Sequence, residues 1–197
     1  MIEAIVAVNR DWGIGAGGTQ NVVLSADRKH FRAVTEGCTV IVGRKTLADF
    51  PGGRPLPNRR NIVLTRGDLT VDGTEVAHST EEALALAGSE RCLIIGGASV
   101  YRALLPYCTR VYVTKIDVCP LSDSFFPDLD ASPEWEIERE SDVMEENGVR
   151  FRFVDYPQIR KRQRPAAFLC KEVLCRVRTP YRRALHQGHR RSARQKP

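Results

Sequence analysis

Residues 2–8, IEAIVAV, form a short apolar, β-branched run without sustained polar alternation, which reads as a strand buried on both faces. Runs of the same kind recur at 39–42, 61–65 (NIVLT), 92–95 and 110–116 (RVYVTKI). Between them the pattern turns helical. Phe31 and Val34 stand three apart in segment 25–36, with Ser25 as candidate N-cap and Gly37 as its stop. A short helical stretch over 45–50 is broken by Pro51-Gly52-Gly53, and Asp72-Gly73 marks a turn. Ser79-Thr80-Glu81-Glu82 reads as a capping box ahead of Ala83, Leu84 and Leu86. Segment 98–105 puts Val100, Leu104 and Leu105 on one helical face and stops near Pro106. Runs 134–140 and 149–155 alternate and suit an antiparallel pair.

Strands alternating with helices predict an α/β fold with a mostly parallel sheet. The last two strands have no helix between them, so one edge of that sheet is expected to be antiparallel. No internal repeat is found.

Composition is that of a folded chain: 197 residues, 42% hydrophobic and 27% charged. No stretch of 18 apolar residues offers a transmembrane helix, and MIEAIVAVNRDWG lacks the basic region of a signal peptide. The net charge of +6 changes meaning when it is divided. From Ile159 onward 13 Lys/Arg stand against one acid, Glu172, a balance of +12. Residues 1–158 carry 17 basic and 23 acidic side chains, a balance of −6. An acidic body therefore carries a basic tail, with the boundary near Pro157. The six cysteines include no C-x-x-C pair, and reduced thiols in the cytoplasm are expected.

Candidate chemistry gathers at strand ends. Gly13-Ile14-Gly15-Ala16-Gly17-Gly18 matches G-x-G-x-x-G in form. Asn9 to Trp12 separate it from the strand and no amphipathic helix follows, so it reads as a glycine-rich mobile loop. Gly96-Gly97, between a strand and a helix, suits either close approach of a ligand or a tight turn. Gly43-Arg44-Lys45-Thr46 makes either an anion site or a solvated basic turn, and Thr65-Arg66 adds a third phosphate-competent strand end. Three such ends favour a ligand across the carboxyl edge of the sheet. Asp27, in a first helical turn, either complements the helix dipole or holds a cationic, amidine-like ring. Cys170, Cys175, His186 and His189 fall outside zinc-finger spacing, and no metal is expected.

These motifs, in order, resemble the dihydrofolate reductases over about residues 1–156. The resemblance rests on Ile14-Gly15, on Leu24-Ser25-Ala26-Asp27 with Phe31, and on Val40-Ile41-Val42-Gly43-Arg44-Lys45-Thr46. It continues through 56–65 (LPNRRNIVLT), Ile94-Ile95-Gly96-Gly97 with Tyr101, Thr114-Lys115-Ile116-Asp117 and Phe125-Phe126-Pro127. It implies a mostly parallel eight-stranded sheet with an antiparallel C-terminal edge and helices on both faces. It implies NADPH-dependent reduction of 7,8-dihydrofolate to tetrahydrofolate, with Asp27 at the pterin and Thr114 supporting it. Val6, Ala7, Phe31, Phe50, Ile95 and Tyr101 would line the pterin and nicotinamide pocket, and Arg59 would grip the glutamate α-carboxylate. Cofactor contacts would come from Ala7, Ile14, Gly15, Gly43, Arg44, Lys45, Thr46, Leu64, Thr65, Arg66, Ile95, Gly96, Gly97, Ala98, Ser99, Val100 and Tyr101. Segment 15–23 would be the lid. The family usually carries Pro-Trp shortly before the helix acid, and Asn21-Val22 stand there instead. The water that this tryptophan helps to order loses that support, and activity or antifolate sensitivity is expected to change with it.

A pterin- or pyrimidine-type reductase on the same fold is the alternative within enzymes. A degenerate reductase whose tail binds anions or nucleic acid is the alternative outside them. Segment 159–197 has the composition of a poorly ordered extension and carries no recognisable nucleic-acid motif. A reading-frame change near the natural stop fits it equally. The sequence reads as a catalytic domain over 1–158 that acts as a cytoplasmic monomer on dihydrofolate, without membrane or specific nucleic-acid partners.

Overall fold

The computed structural model describes residues 1–159; segment 160–197, and with it the expectation for the tail and the Cys/His spacing, lies outside the described residues. The elements in chain order are β1 (Ile2–Val8), β2 (Gly13–Gly15), α1 (Ser25–Thr35), β3 (Thr39–Gly43) and α2 (Arg44–Ala48). Then come β4 (Arg60–Leu64), β5 (Thr74–Ala77), α3 (Thr80–Ala87), β6 (Cys92–Gly96) and α4 (Ala98–Leu104). The last are β7 (Arg110–Ile116), β8 (Ser124–Phe125), β9 (Arg139–Glu140), β10 (Met144–Glu146) and β11 (Val149–Pro157).

Eight strands form one ladder in the order β10-β11-β7-β1-β6-β3-β4-β5, and the two-residue β9 lies against β11. The five pairings from β7 through to β5 are parallel, and β11 with its neighbours forms the antiparallel edge. This matches the predicted mostly parallel sheet with one antiparallel edge.

Side chains of successive strand residues point to opposite faces, so the largely apolar central strands feed two cores. On one face Ala4, Val6, Ile41, Ile62 and Ile94 pack with Ala83 and Ala87 of α3 and Val100 and Leu104 of α4. On the other, Ile5, Val40, Val42, Val63 and Leu93 meet Leu47 of α2 and Phe31 and Val34 of α1. Each fully buried Leu, Ile or Val contributes on the order of 1.5–3 kcal/mol, so the sheet centre is the stable frame on which the strand ends are held.

Three local expectations change. Ser25 is the first residue of α1 rather than its cap; Leu24 occupies the N-cap and makes no side-chain cap bond. Of the alternating run 134–140 only β9 is strand. Trp135 instead turns into the core and bridges Gln158, while Ile137 stays exposed. Strands β5 and β10 were not anticipated, being short, polar and at the two sheet edges. The capping box holds, with Ser79 Oγ accepting from the Glu82 N–H at 3.1 Å and Glu82 reaching back to the His78 N–H at 2.7 Å.

Candidate active site

A cavity of about 1080 Å³ opens across the carboxyl ends of β1, β3, β4 and β6. Val6, Ala7, Phe31, Phe50, Ile95 and Tyr101 line it. So do Ile14, Gly15, Gly43, Arg44, Lys45, Thr46, Leu64, Thr65, Arg66, Gly96, Gly97, Ala98, Ser99 and Val100. One opening thus collects the predicted ring pocket and all three phosphate-competent strand ends.

Asp27, Thr114 and Arg59 are not part of this lining; they stand behind or beside it. Asp27 lies in the first turn of α1, whose Arg28 and Phe31 do reach the cavity. Its Oδ1 accepts a hydrogen bond from Thr114 Oγ1 at 2.6 Å. Thr114 is buried in β7 and pairs in register with the lining residue Ala7. Burial pushes the Asp27 carboxyl above its usual range, against the opposing pull of Thr114, His30 and Arg28. Tyr101, buried at the cavity wall, donates a hydrogen bond from its hydroxyl to the Ile5 carbonyl at 2.6 Å, and its ring stands edge-on to Phe126. Arg59 donates through Nε to Thr35 Oγ1 at 2.8 Å and through Nη1 to the Pro57 carbonyl at 2.7 Å. Its fork is thereby oriented in advance, with donors to spare for a carboxylate.

At the other end, α2 and α4 begin at Gly43 and Gly97 without side-chain caps, so their first N–H groups face the cavity mouth. The backbones meet closely there. A Cβ on Gly97 would come within 2.8 Å of Thr46 Oγ1, and one on Gly43 within 2.9 Å of Val100 Cγ2. Gly96 has φ +134°, a conformation that side-chain-bearing residues rarely take. Arg44, Lys45 and Arg66 are exposed, and no carboxylate pairs with any of them among the described residues.

The glycine-rich loop closes as a small hairpin. Ala16 and Thr19 exchange backbone hydrogen bonds across Gly17 and Gly18, both at positive φ as a tight two-residue turn requires. The segment is tied to the loop after β7. Asp123 Oδ2 accepts from the Gly17 N–H at 2.8 Å, and its own N–H donates to the Gly15 carbonyl. Asn21, standing where the family pattern has proline, donates to the Leu121 carbonyl and to Ser122 Oγ, each at 2.9 Å. Val22 packs in a small core with Leu24, Ile116 and Phe151.

Sequence reasoning did not single out Leu56 or Arg102 as lining residues, nor Ser124. Leu56, an isolated apolar residue between Pro55 and Pro57, carried a usable signal; Arg102, one turn beyond Ala98 on α4, carried another. Among the described residues no cluster of three or more His, Cys, Asp or Glu could hold a metal, and no helix is long and apolar enough to cross a membrane.

Residues 1–158 match the family model described as dihydrofolate reductase. The dihydrofolate reductase of Neisseria meningitidis serogroup B is 40% identical over 157 residues, covering 79% of this chain and 96% of the relative. That of Mycobacterium tuberculosis H37Rv is 40% identical over 161 residues, covering 79% and 97%. The solved structure of the Enterococcus faecalis dihydrofolate reductase complexed with NADP(H) and RAB-propyl superposes with a TM-score of 0.74 at 34% identity, covering 81% of this chain and 96% of that one. With the family model matched over residues 1–158 and this extent of sequence identity and structural likeness, the chain belongs to the dihydrofolate reductase family.

Proposed function

We propose that this chain reduces 7,8-dihydrofolate to tetrahydrofolate with NADPH, through the residues gathered at the carboxyl edge of its sheet. The observation that carries the reading is a single cavity lined by the apolar ring pocket and by exposed cations, with the Thr114-bonded carboxylate of Asp27 standing behind the lining.

The cofactor's fit rests on the backbone. Gly43 and Gly97 leave no room for a Cβ where the two uncapped helix starts converge, which suits a pyrophosphate held by N–H groups. Arg44, Lys45, Thr46, Thr65 and Arg66 would hold the phosphates, with Arg44 and the Thr65-Arg66 end near the 2′-phosphate. Backbone from Gly96 to Val100, with Ala7, Ile14, Gly15, Leu64 and Tyr101, would meet the rest of the cofactor. Bound NADPH supplies the hydride.

The protein's part is alignment. The ionised Asp27 accepts from the 2-amino group and ring N–H of the pterin, which fixes the ring and raises the basicity of the nitrogen to be protonated. The Thr114 hydroxyl keeps one carboxylate oxygen in place. Val6, Ala7, Phe31, Phe50 and Ile95 hold the two rings in contact and keep bulk water out. Arg59 takes the glutamate α-carboxylate in a bidentate grip. The segment Gly15 to Val23, which begins with this hairpin, would cover the nicotinamide end as a lid.

The reading extends to the whole chain: residues 1–158 are the catalytic domain, and 159–197 are dispensable for catalysis. It acts as a cytoplasmic monomer, open to antifolates and without specific nucleic-acid or membrane partners. The test follows NADPH absorbance with the full chain and with a chain ending after Ile159, whose N–H still bonds the Glu134 carbonyl. Both should oxidise NADPH saturably only when dihydrofolate is present. A ribosylated pyrimidine substrate accepted in its place would overturn the folate assignment, and activity lost on truncation would overturn the division of labour.

A further inference from the structure

We propose that Glu146 is a positioning residue for Asp27, acting as a carboxylate cap supplied from a distant hairpin to the first turn of α1. The inference rests on the reductase reading of the site and deepens it.

A helix begins with N–H groups that have no partner inside it. Leu24, at the N-cap, has no side-chain acceptor to offer, and its side chain is buried in a small apolar core. Both oxygens of Glu146 take over: Oε1 accepts from the Ser25 N–H at 2.7 Å and Oε2 from the Ala26 N–H at 3.0 Å. The next residue is Asp27. A negative group there also complements the positive end of the helix. These two backbone bonds hold the Glu146 carboxyl below its usual range.

The carboxylate is itself fixed. Glu146 pairs with Val149 at the end of the β10–β11 hairpin. Asn147 at φ +54° and Gly148 at φ +77° form its two-residue turn, the Asn-Gly pairing that such turns favour. Strand β11 is laddered to β7, with Phe153 opposite Thr114. Asp27 is thus held from two sides by one antiparallel edge, directly by Thr114 and, through the backbone of the two preceding residues, Ser25 and Ala26, by Glu146. A helix start free to fray would let the carboxylate leave Thr114 and take up water. The charged and polar groups around the pair are Thr114 of β7, Arg28, Lys29 and His30 of α1, and Tyr101 of α4.

The experiment uses the full chain with Glu146→Ala and Glu146→Gln, and Glu145→Gln as control, since Glu145 is an exposed acid on the same short strand. The readouts are kcat and KM for dihydrofolate across pH, the NADPH Kd, and amide exchange at Ser25 and Ala26. In Glu146→Ala, kcat/KM for dihydrofolate should fall about tenfold, the scale of losing a helix cap. The acid limb of its profile should move toward the ordinary carboxylate range as Asp27 gains water. NADPH affinity should hold. Glu146→Gln, which keeps one acceptor oxygen, should fall between, with faster exchange at Ser25 and Ala26; it carries the test if the alanine variant does not fold. Glu145→Gln should match the unmodified chain. An unshifted limb with unchanged kcat/KM overturns the proposal, as does an equal loss of NADPH and dihydrofolate binding. An unmodified chain that does not reduce dihydrofolate would instead overturn the reductase reading, and the exchange measurement would still decide whether the clamp exists.

Discussion

At the cation end of the cavity each part is a local unit: a strand, a glycine and the first turn of the next helix, as in Val42-Gly43-Arg44 and Ile95-Gly96-Gly97. At the acid end no part is local. Asp27, Thr114 and Glu146 come from α1, β7 and β10 and meet only because the antiparallel edge folds over the helix. The cations are exposed and screened by solvent, and several share one task. The acid is single, largely enclosed and without a substitute. A single substitution should therefore cost far more at the acid end than at the cation end.

The largest expected effect separates function from stability at Asp27. Burial raises its folded pKa above the unfolded value, so the native state binds more protons than the unfolded state between those two values. Stability from this group is present below the ordinary carboxylate pKa and is lost as pH rises through the raised one. At pH 7 the ionised carboxylate is therefore a cost to the fold. Asp27→Asn should lower kcat/KM for dihydrofolate by roughly two orders of magnitude or more at pH 7. It should also raise the melting temperature at pH 7, where the wild-type carboxylate is ionised against its raised pKa. Its residual rate should climb as pH falls, because solvent must then protonate the substrate unaided. A variant that is both inactive and less stable would break the contrast.

Arg44→Ala tests the opposite end. Arg44 is exposed and has neighbours in Lys45, Thr65 and Arg66. Loss of one charge-assisted contact among several should raise the KM for NADPH about tenfold and leave kcat little changed. The effect should shrink with added salt, since the contact is screened. A fall in kcat equal to that of Asp27→Asn would mean that the cation end aligns the reacting rings, against the division drawn here.

The same contrast sets what the sequence could tell. Gly43-Arg44-Lys45-Thr46 and Gly96-Gly97 carry their function within a few residues, so strand patterning was enough to find them. The central strands were equally legible, because burial on both faces leaves an unbroken apolar run. Ser25 was misjudged because the acceptor that satisfies its N–H stands 121 residues further along the chain. Asn21 gave no local sign of its bonds to Leu121 and Ser122. The run at 134–140 alternates as a strand should, but with Trp135 turned into the core only Arg139 and Glu140 take up strand against β11. Edge strands β5 and β10 show no apolar run because their residues stay mostly half-exposed. Local signals thus identified the strand ends that line the cavity, and tertiary contacts decided how the acid is held.

The smallest effect belongs to His30, which bears on the acid end through its charge. Its ring stacks on Phe153 with centroids 4.2 Å apart, and burial pushes its pKa down while Asp27 and Asp155 push it up and Arg139 pushes it down. With the folded pKa below the unfolded one, the unfolded state binds more protons as pH drops through that window. Folding therefore loses stability toward acid at this position. His30→Phe keeps an aromatic ring on Phe153 and removes the titration, so the variant should lose less stability than the unmodified chain on going from pH 7 to pH 5. At pH 7, where the depressed pKa leaves His30 mostly neutral, kcat and both KM values should be nearly unchanged. In acid, a protonated His30 favours the ionised form of Asp27, so its removal should move the acid limb of the kcat/KM profile to higher pH. That is opposite in direction to the shift expected for Glu146→Ala. Charge near Asp27 and the placement of its helix can thus be told apart by the sign of a single displacement, and a His30→Phe limb that moved downward would show that hydration outweighs charge there.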